Sequence, residues 1–441
     1  MNRLSIASPM ISAQERPLNI LCVSQYYPPE IAAGGIRISE LARHWSTQGH
    51  DVTVITGVPN YPTGIVPQEY RQKRWRPFFE ERHDGIRLIR TWLVPRPNNG
   101  VVDRALNYSS FCFSSCTTGL FAGRPDVVIA TSPPLLVPVA GSWLSRWKRV
   151  PWIFDVRDLW PESLTAVGAG HDRSLLNRSL SQLADFLYRS CSRVVIVSPA
   201  FKEQLVRRRV AAEKIDVIEN GVEDDIFFPG PADPDIRREF EIPESSFVVC
   251  YLGTIGMAHG LMTLVDAATK LRDTHPNVVF LMAGGGAESE RLQAEIRARQ
   301  LTNVIYAGVL RRERIPDVIR ASNACAVLLK KSDLFATVIP TKMLEAMACA
   351  RPVILGVDGH ARQIVEDAQG GVFVEPENAS AFAQAVAELS VRPELCQQMG
   401  ANGRRHTVEH YSRRNMAARY LKLVSGLRCK EPKTETVEAA A

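Results

Sequence analysis

Lys342 and Glu345 are the residues whose types and spacing best suit chemistry on an anion. They lie in the run F-A-T-V-I-P-T-K-M-L-E-A-M-A-C-A-R-P-V-I-L, Phe335–Leu355. Pro340 breaks what precedes it, and Thr341 is placed to cap a new helix. The spacing sets amine and carboxylate on one helix face, and a helix start offers backbone N–H groups to an anion. One turn then supplies donors for a diphosphate, a lysine for its charge and a glutamate for ribose hydroxyls. A nucleotide sugar presents those groups in that order. The bland alternative is an amphipathic helix with a cap and a salt bridge.

Three glycine turns could share such a ligand. G-T-I-G-M-A-H-G, Gly253–Gly260, follows a strand-like run and precedes a helix. Its backbone can approach a phosphate, with Thr254 and His259 as side chains of the loop. A-G-G-G at Ala283–Gly286 is a second turn, bringing Gly284 and Gly285 toward a nucleotide. Gly34 and Gly35 close a third loop in the first half. Tight packing turns have the same composition. W-I-F-D-V-R-D-L-W-P-E-S, Trp152–Ser163, sets Asp155, Arg157, Asp158 and Glu162 at a strand end. Charges there are costly when buried unless paired or used. Asp158 can hold an acceptor hydroxyl and take its proton, with Arg157 beside it as a second catalytic candidate. The alternative is an Asp–Arg pair that fixes a loop.

The elements that must position these residues alternate strand and helix. Strands are predicted at Asn19–Ser24, Asp51–Gly57, Ile86–Trp92, Val127–Thr131, Trp152–Val156, Val194–Ser198 and Ile215–Ile218. Asn220–Gly221 reads as a hinge. Gly230–Pro243 reads as a linker, after which the pattern restarts. Strands follow at Phe247–Leu252, Val278–Met282, Val304–Ala307, Ala324–Leu329, Pro352–Leu355 and Val372–Val374. Helices are expected at Leu261–Leu271, Glu288–Arg299, Thr341–Cys349 and Ser412–Leu427. The expected class is α/β, two doubly wound Rossmann-like domains in series, with ligands outside the strand C-termini.

Composition fits that picture. A chain of 441 residues, 45% hydrophobic and 23% charged, is globular and longer than one core. A formal charge of +6 does not call for nucleic acid. Nine cysteines without a C-x-x-C pair suit a reducing cytoplasm. Val127–Leu144 contains three prolines and is a poor membrane span. No signal peptide is evident, and residues 1–16 and the tail from Lys430 read as unstructured. Arg71–Arg104 mixes Lys73, Arg74 and Arg76 with Tyr70, Trp75, Phe78 and Phe79. Such a run suits an anionic membrane surface, or a solvated loop whose aromatics tuck into the domain.

Together these residues resemble the family 4 glycosyltransferases of the GT-B fold, from Leu18 to Leu427. The markers are the Gly34–Gly35 loop, S-P-A-F-K-E-Q-L at Ser198–Leu205, E-N-G-V at Glu219–Val222, the Gly253 loop, A-G-G-G and Pro340–Ile354. Y-Y-P-P-E at Tyr26–Glu30, D-V-R-D-L-W-P-E and L-L-K-K-S-D-L-F-A-T-V-I-P-T-K are similar to the bacterial exopolysaccharide and O-antigen subgroup, which includes colanic-acid and L-fucosamine transferases. The resemblance implies an acceptor-binding domain over 1–225 and a nucleotide-sugar-binding domain over 226–410, facing a cleft. It further implies a helix over 411–428 that crosses back and a disordered tail over 429–441. Glu345 matches the second Glu of the family's E-x7-E motif, while Thr337 stands where the first belongs. The usual Arg and Lys of the first phosphate loop are also missing, and Lys330, Lys331 or Lys342 is left to supply their charge.

The implied reaction is retaining transfer of a hexosyl or amino sugar, without metal or other cofactor. The implied partners are a nucleoside-diphosphate sugar and a polyprenyl-diphosphate-linked or oligosaccharide acceptor. The setting would be the cytoplasm or the inner face of the plasma membrane. A nucleotide-sugar epimerase and a non-catalytic scaffold of a polysaccharide assembly complex are the alternatives.

Overall fold

The computed structural model describes residues 16–30, 32–98, 100–159, 175–231, 233–333 and 335–428. Glu162 and most of both termini lie outside them. The chain divides into two units. The first comprises the described residues up to Val197, Phe201–Ile218 and the chain from Ala417. The second comprises Ser198–Ala200 and Glu219–Met416.

The first unit carries β1 (Asn19–Val23), β2 (Asp51–Gly57), β3 (Phe78–His83), β4 (Ile86–Thr91), β5 (Val127–Thr131), β6 (Trp152–Val156), β7 (Arg193–Ile196) and β8 (Ile215–Val217). They form one sheet in the order β3-β4-β2-β1-β5-β6-β7-β8, parallel except for the β3–β4 pair. Helices α1 (Ala33–Thr47), α2 (Val101–Gly119), α3 (Leu136–Lys148), α4 (Leu175–Ser190) and α5 (Pro199–Arg207) occupy the crossovers. Every residue of β5 and β6 is buried. That is why these strands read as unbroken apolar runs, since helices cover both faces of a parallel sheet.

The second unit repeats the plan with β9 (Phe247–Leu252), β10 (Val278–Ala283), β11 (Val304–Tyr306), β12 (Ala324–Leu328), β13 (Val353–Gly356) and β14 (Gly371–Phe373). Their order is β11-β10-β9-β12-β13-β14, all parallel. The helices are α6 (Pro234–Glu239), α7 (Met262–Leu271), α8 (Ser289–Ala298), α9 (Ile315–Ala321), α10 (Thr341–Ala348), α11 (His360–Ala368), α12 (Ala379–Ser390) and α13 (Pro393–Tyr411). The last helix, α14 (Arg413–Arg428), joins the first unit from Ala417 on. There Trp45, fully buried on α1, donates Nε1–H to Ala417 O at 3.1 Å and meets Tyr420 edge-on at 5.4 Å.

Three features depart from the sequence reading. The supposed linker contains α6, capped by Asp233, whose carboxylate accepts from Asp235 N at 3.0 Å. The hinge candidate is tied down: Val222 N donates to Tyr411 O and Arg413 N to Val222 O, each at 2.8 Å. The basic run supplies β3 and two short 3-10 turns. Much of its charge is spent internally, with Arg87 on Glu80 at 2.5 Å and buried Arg90 on Glu81 at 2.7 Å. Lys73 lies 5.2 Å from the Phe79 ring. The tucked-loop alternative therefore describes most of this run, although Trp75 stays exposed.

Candidate functional site

In the second unit the strand order reverses between β9 and β12, the switch point where doubly wound sheets bind ligands. The Gly253–Gly260 loop leaves β9 there, Lys330 follows β12, and α10 comes next. Lys342 Nζ donates to Tyr251 Oη at 3.0 Å and lies 4.3 Å above that ring. A Cβ on Gly253 would stand 3.0 Å from the same Nζ, so the glycine leaves the amine its room. Burial draws Lys342 down from 10.5 to about 8, against the pull of Glu345. His259 meets the Tyr251 ring edge-on at 6.4 Å. Its enclosure, then the Lys342 charge, lowers it to about 4. Glu345 is 16% exposed and stands 3.9 Å from Arg312. Lysine, histidine and tyrosine thus meet at one strand end, and Lys342 and Glu345 share the first two turns of α10.

Several expected roles change. Pro340 is the N-cap, Thr341 is the first helical residue, and no side-chain cap bond forms. The proline holds the extended conformation that Thr341 was to adopt. The glycine loops interlock: a Cβ at Gly284 would overlap Gly253 O, and one at Gly286 would overlap Ile255 O. Their φ angles of +150° and +156° also favour glycine. Gly253 N donates to Ala283 O at 2.9 Å, Ile255 N to Gly285 O at 3.0 Å and Gly284 N to Gly308 O at 2.8 Å. Those amides are committed to packing and do not face an anion. A Cβ on Gly285 would meet Val309 at 2.9 Å, and one on Gly260 would meet the Lys330 stem at 3.4 Å. Thr254 accepts at its carbonyl from Tyr251 Oη at 2.6 Å. Lys331 pairs with Glu375 at 2.7 Å, whereas the exposed Lys330 ammonium forms no ion pair among the described residues.

The first unit holds the other candidates. Gly34 and Gly35 belong to the first turn of α1 rather than to a loop. A Cβ on Gly35 would crowd Tyr26 O at 2.6 Å, and one on Gly34 would stand 3.3 Å from Arg157. The charges after β6 divide. Asp155 is fully buried, accepts from Thr131 Oγ1 at 3.0 Å and faces buried Arg37 at 3.5 Å. It is the structural Asp–Arg pair. Asp158 keeps solvent contact, yet partial enclosure raises its carboxyl above the ordinary range while Arg157 opposes. It remains available as an acid or base. Arg157 N reaches Ser132 Oγ at 3.4 Å. Thr337 lies in a 3-10 turn, and its carbonyl accepts from Ser198 Oγ at 2.7 Å.

Sequence reasoning missed Tyr251 and Arg312. Tyr251 was hidden inside the apolar run of β9, although a polar-tipped ring just before a glycine turn is a usable signal. Arg312 belongs to R-R-E-R after β11, where charge alone did not single it out. Among the described residues no His, Cys, Asp and Glu cluster could hold a metal ion, and no helix is long and apolar enough to cross a membrane.

Residues 33–221 match the model of the glycosyl transferase 4-like domain, and residues 232–406 match that of the glycosyl transferases group 1. The chain is 25% identical over 392 residues to WcaI of Escherichia coli (strain K12), a protein assigned to colanic acid biosynthesis as a glycosyl transferase. The match covers 85% of this chain and 93% of that one. Sucrose-phosphate synthase of Thermosynechococcus elongatus superposes with a TM-score of 0.69 at 20% identity, over 93% of this chain and 99% of its own. Anabaena HepE, solved with UDP, gives 0.68 at 17%, over 93% and 100%. Two parallel-sheet units, a switch point furnished with Lys342 and Glu345, and both family models agree: this chain belongs to the family 4-like glycosyltransferases of the GT-B fold.

Proposed function

We propose that this glycosyltransferase moves a hexosyl or amino sugar from a nucleoside-diphosphate sugar to a lipid-linked or oligosaccharide acceptor during synthesis of a bacterial surface polysaccharide. The observation that carries the donor half is the Lys342 amine, held on Tyr251 at the switch point with Glu345 one turn on. Departure of the diphosphate builds negative charge on oxygen and positive character at the sugar carbon. Lys342 and the first amides of α10 stabilise the former, Glu345 holds the ribose, and Lys330 adds charge. Asp158 takes the proton of the acceptor hydroxyl, with Arg157 positioning it. Retention of configuration and independence of metal follow from the family reading.

A lipid-linked acceptor, a polyprenyl diphosphate carrying a glycan, is supported by the surface of the first unit. Phe113 of α2, Trp143 and Trp147 of α3, Phe186 of α4 and nearby Phe121 are all exposed. Lys148 ties α3 to the end of α2 by donating to Leu120 O at 3.4 Å, and Arg146 lies 5.4 Å from the Phe186 ring. Exposed aromatic rings with Arg146 set against one of them suit an anionic bilayer interface. On this reading the enzyme works at the inner face of the plasma membrane, through a surface continuous with the Arg71–Arg104 run, where Phe121 stacks on Phe78 at 5.9 Å.

The test incubates purified protein with UDP-, GDP- and dTDP-sugars and a polyprenyl-diphosphate glycan, with mass spectrometry of the products. Transfer that requires the lipid acceptor and survives EDTA is expected. A product formed without acceptor would point to an epimerase. Neither hydrolysis nor transfer of any donor would leave a scaffold.

A further inference from the structure

We infer that His259 takes up a proton as the donor's diphosphate arrives, so that donor binding by this chain is coupled to protonation of a histidine. The inference rests on the donor site proposed above and concerns how that site gathers its charge. His259 Nδ1 is buried toward the Gly256 backbone, which favours a proton there, while the ring as a whole stays partly exposed. A neutral imidazole has one N–H. With the proton on Nδ1, a bare Nε2 lone pair faces the anion. With the proton on Nε2, Nδ1 is left buried and bare. The imidazolium alone can donate from both nitrogens.

The surroundings decide which form prevails. Tyr251 of β9 faces the ring, Lys342 and Glu345 come from α10, Lys330 follows β12, and Glu377 precedes α12 against Gly260. In the free protein, enclosure and the Lys342 charge keep the ring neutral at pH 7. A diphosphate between His259 and Lys342 replaces that repulsion with two attractions and favours the charged ring. A lysine at position 259 would already carry its proton, and binding would then need none from this side chain. The donor's grip should accordingly weaken as pH rises above the free ring's range, until the bound ring also loses its proton.

Calorimetry with inorganic pyrophosphate tests this between pH 5.5 and 7.5, in buffers of different ionisation enthalpy, on the full chain and on His259→Gln and His259→Lys. The probe's own protonation is common to all three proteins and cancels in the comparison. Wild type should take up more protons than either variant, by up to one per site, and lose affinity more steeply with pH. Should His259→Gln fold poorly, His259→Lys gives the same subtraction. Equal proton uptake in wild type and variant would overturn the inference. Failure of wild type to bind pyrophosphate, or binding untouched by Lys342→Met, would instead overturn the donor site itself.

Discussion

Replacing Lys342 with methionine should make the second unit slightly more stable while removing its grip on a diphosphate. The lysine is held near 8 instead of 10.5, so folding carries the cost of a charge withdrawn from water. At 1.36 kcal/mol per tenfold change, full withdrawal amounts to about 3 kcal/mol. The amine retains some solvent, and screening brings that to about 2 kcal/mol. Methionine also gives up the hydrogen bond and ring contact to Tyr251, about 1 kcal/mol together. Tyr251 Oη keeps its bond to Thr254 O, so no polar atom is orphaned. The balance is a gain of about 1 kcal/mol, or roughly 2–4 °C in melting temperature for a unit of this size. The pH dependence has a definite sign. Between about 8 and 10.5 the unfolded chain holds a proton that the folded chain has released, so wild-type stability climbs with pH across that window. The variant should lack the climb. Thermal melts from pH 7 to 10.5, with and without pyrophosphate, check both halves. A variant that melts well below wild type at pH 7, with the same pH profile and an unchanged shift on adding pyrophosphate, would refute the reasoning.

Three further outcomes are expected. Glu345→Ala should weaken donor binding at least tenfold, about 1.4 kcal/mol, with its melting temperature kept; an unaltered dissociation constant by calorimetry would remove Glu345 from the site. Asp158→Asn should slow transfer about a hundredfold or more while donor affinity holds, and wild-type turnover in that variant would exclude Asp158 as the base. Because its carboxyl is raised, wild-type transfer should also fall as pH drops into the range where Asp158 protonates. Asp155→Asn removes the carboxylate that faces buried Arg37 and should cost about 3–5 kcal/mol in urea unfolding, most of it recovered in Arg37→Met/Asp155→Leu; a loss under 1 kcal/mol in the single variant would show that the pair contributes little.

Fold class was legible because buried parallel strands write themselves as apolar runs. Phe247–Leu252 and Trp152–Val156 were located to the residue. Strand β3 was not, because an edge strand reading F-F-E-E-R-H satisfies its charges across the hairpin and shows no apolar period. At the site, Lys342 and Glu345 were legible from their spacing on one helix. The work of each glycine was not: Gly253, Gly284 and Gly286 look alike in sequence, and their packing depends on which carbonyl a Cβ would strike. Asp155 and Asp158 were likewise inseparable until burial assigned one to Arg37 and left the other open.

The anchoring of Trp45 by Ala417 and Tyr420 has a bearing on how the polypeptide is made. Lobes of a nascent protein ordinarily settle in the order in which they leave the ribosome. Here the earlier lobe lacks a wall until the final helix emerges, some 370 positions after the tryptophan. Some 370 further residues must therefore be added before the indole finds its permanent neighbours. Until then an unsealed apolar flank stays open to chaperones, while the later lobe, with its own strands already in hand, is free to close first.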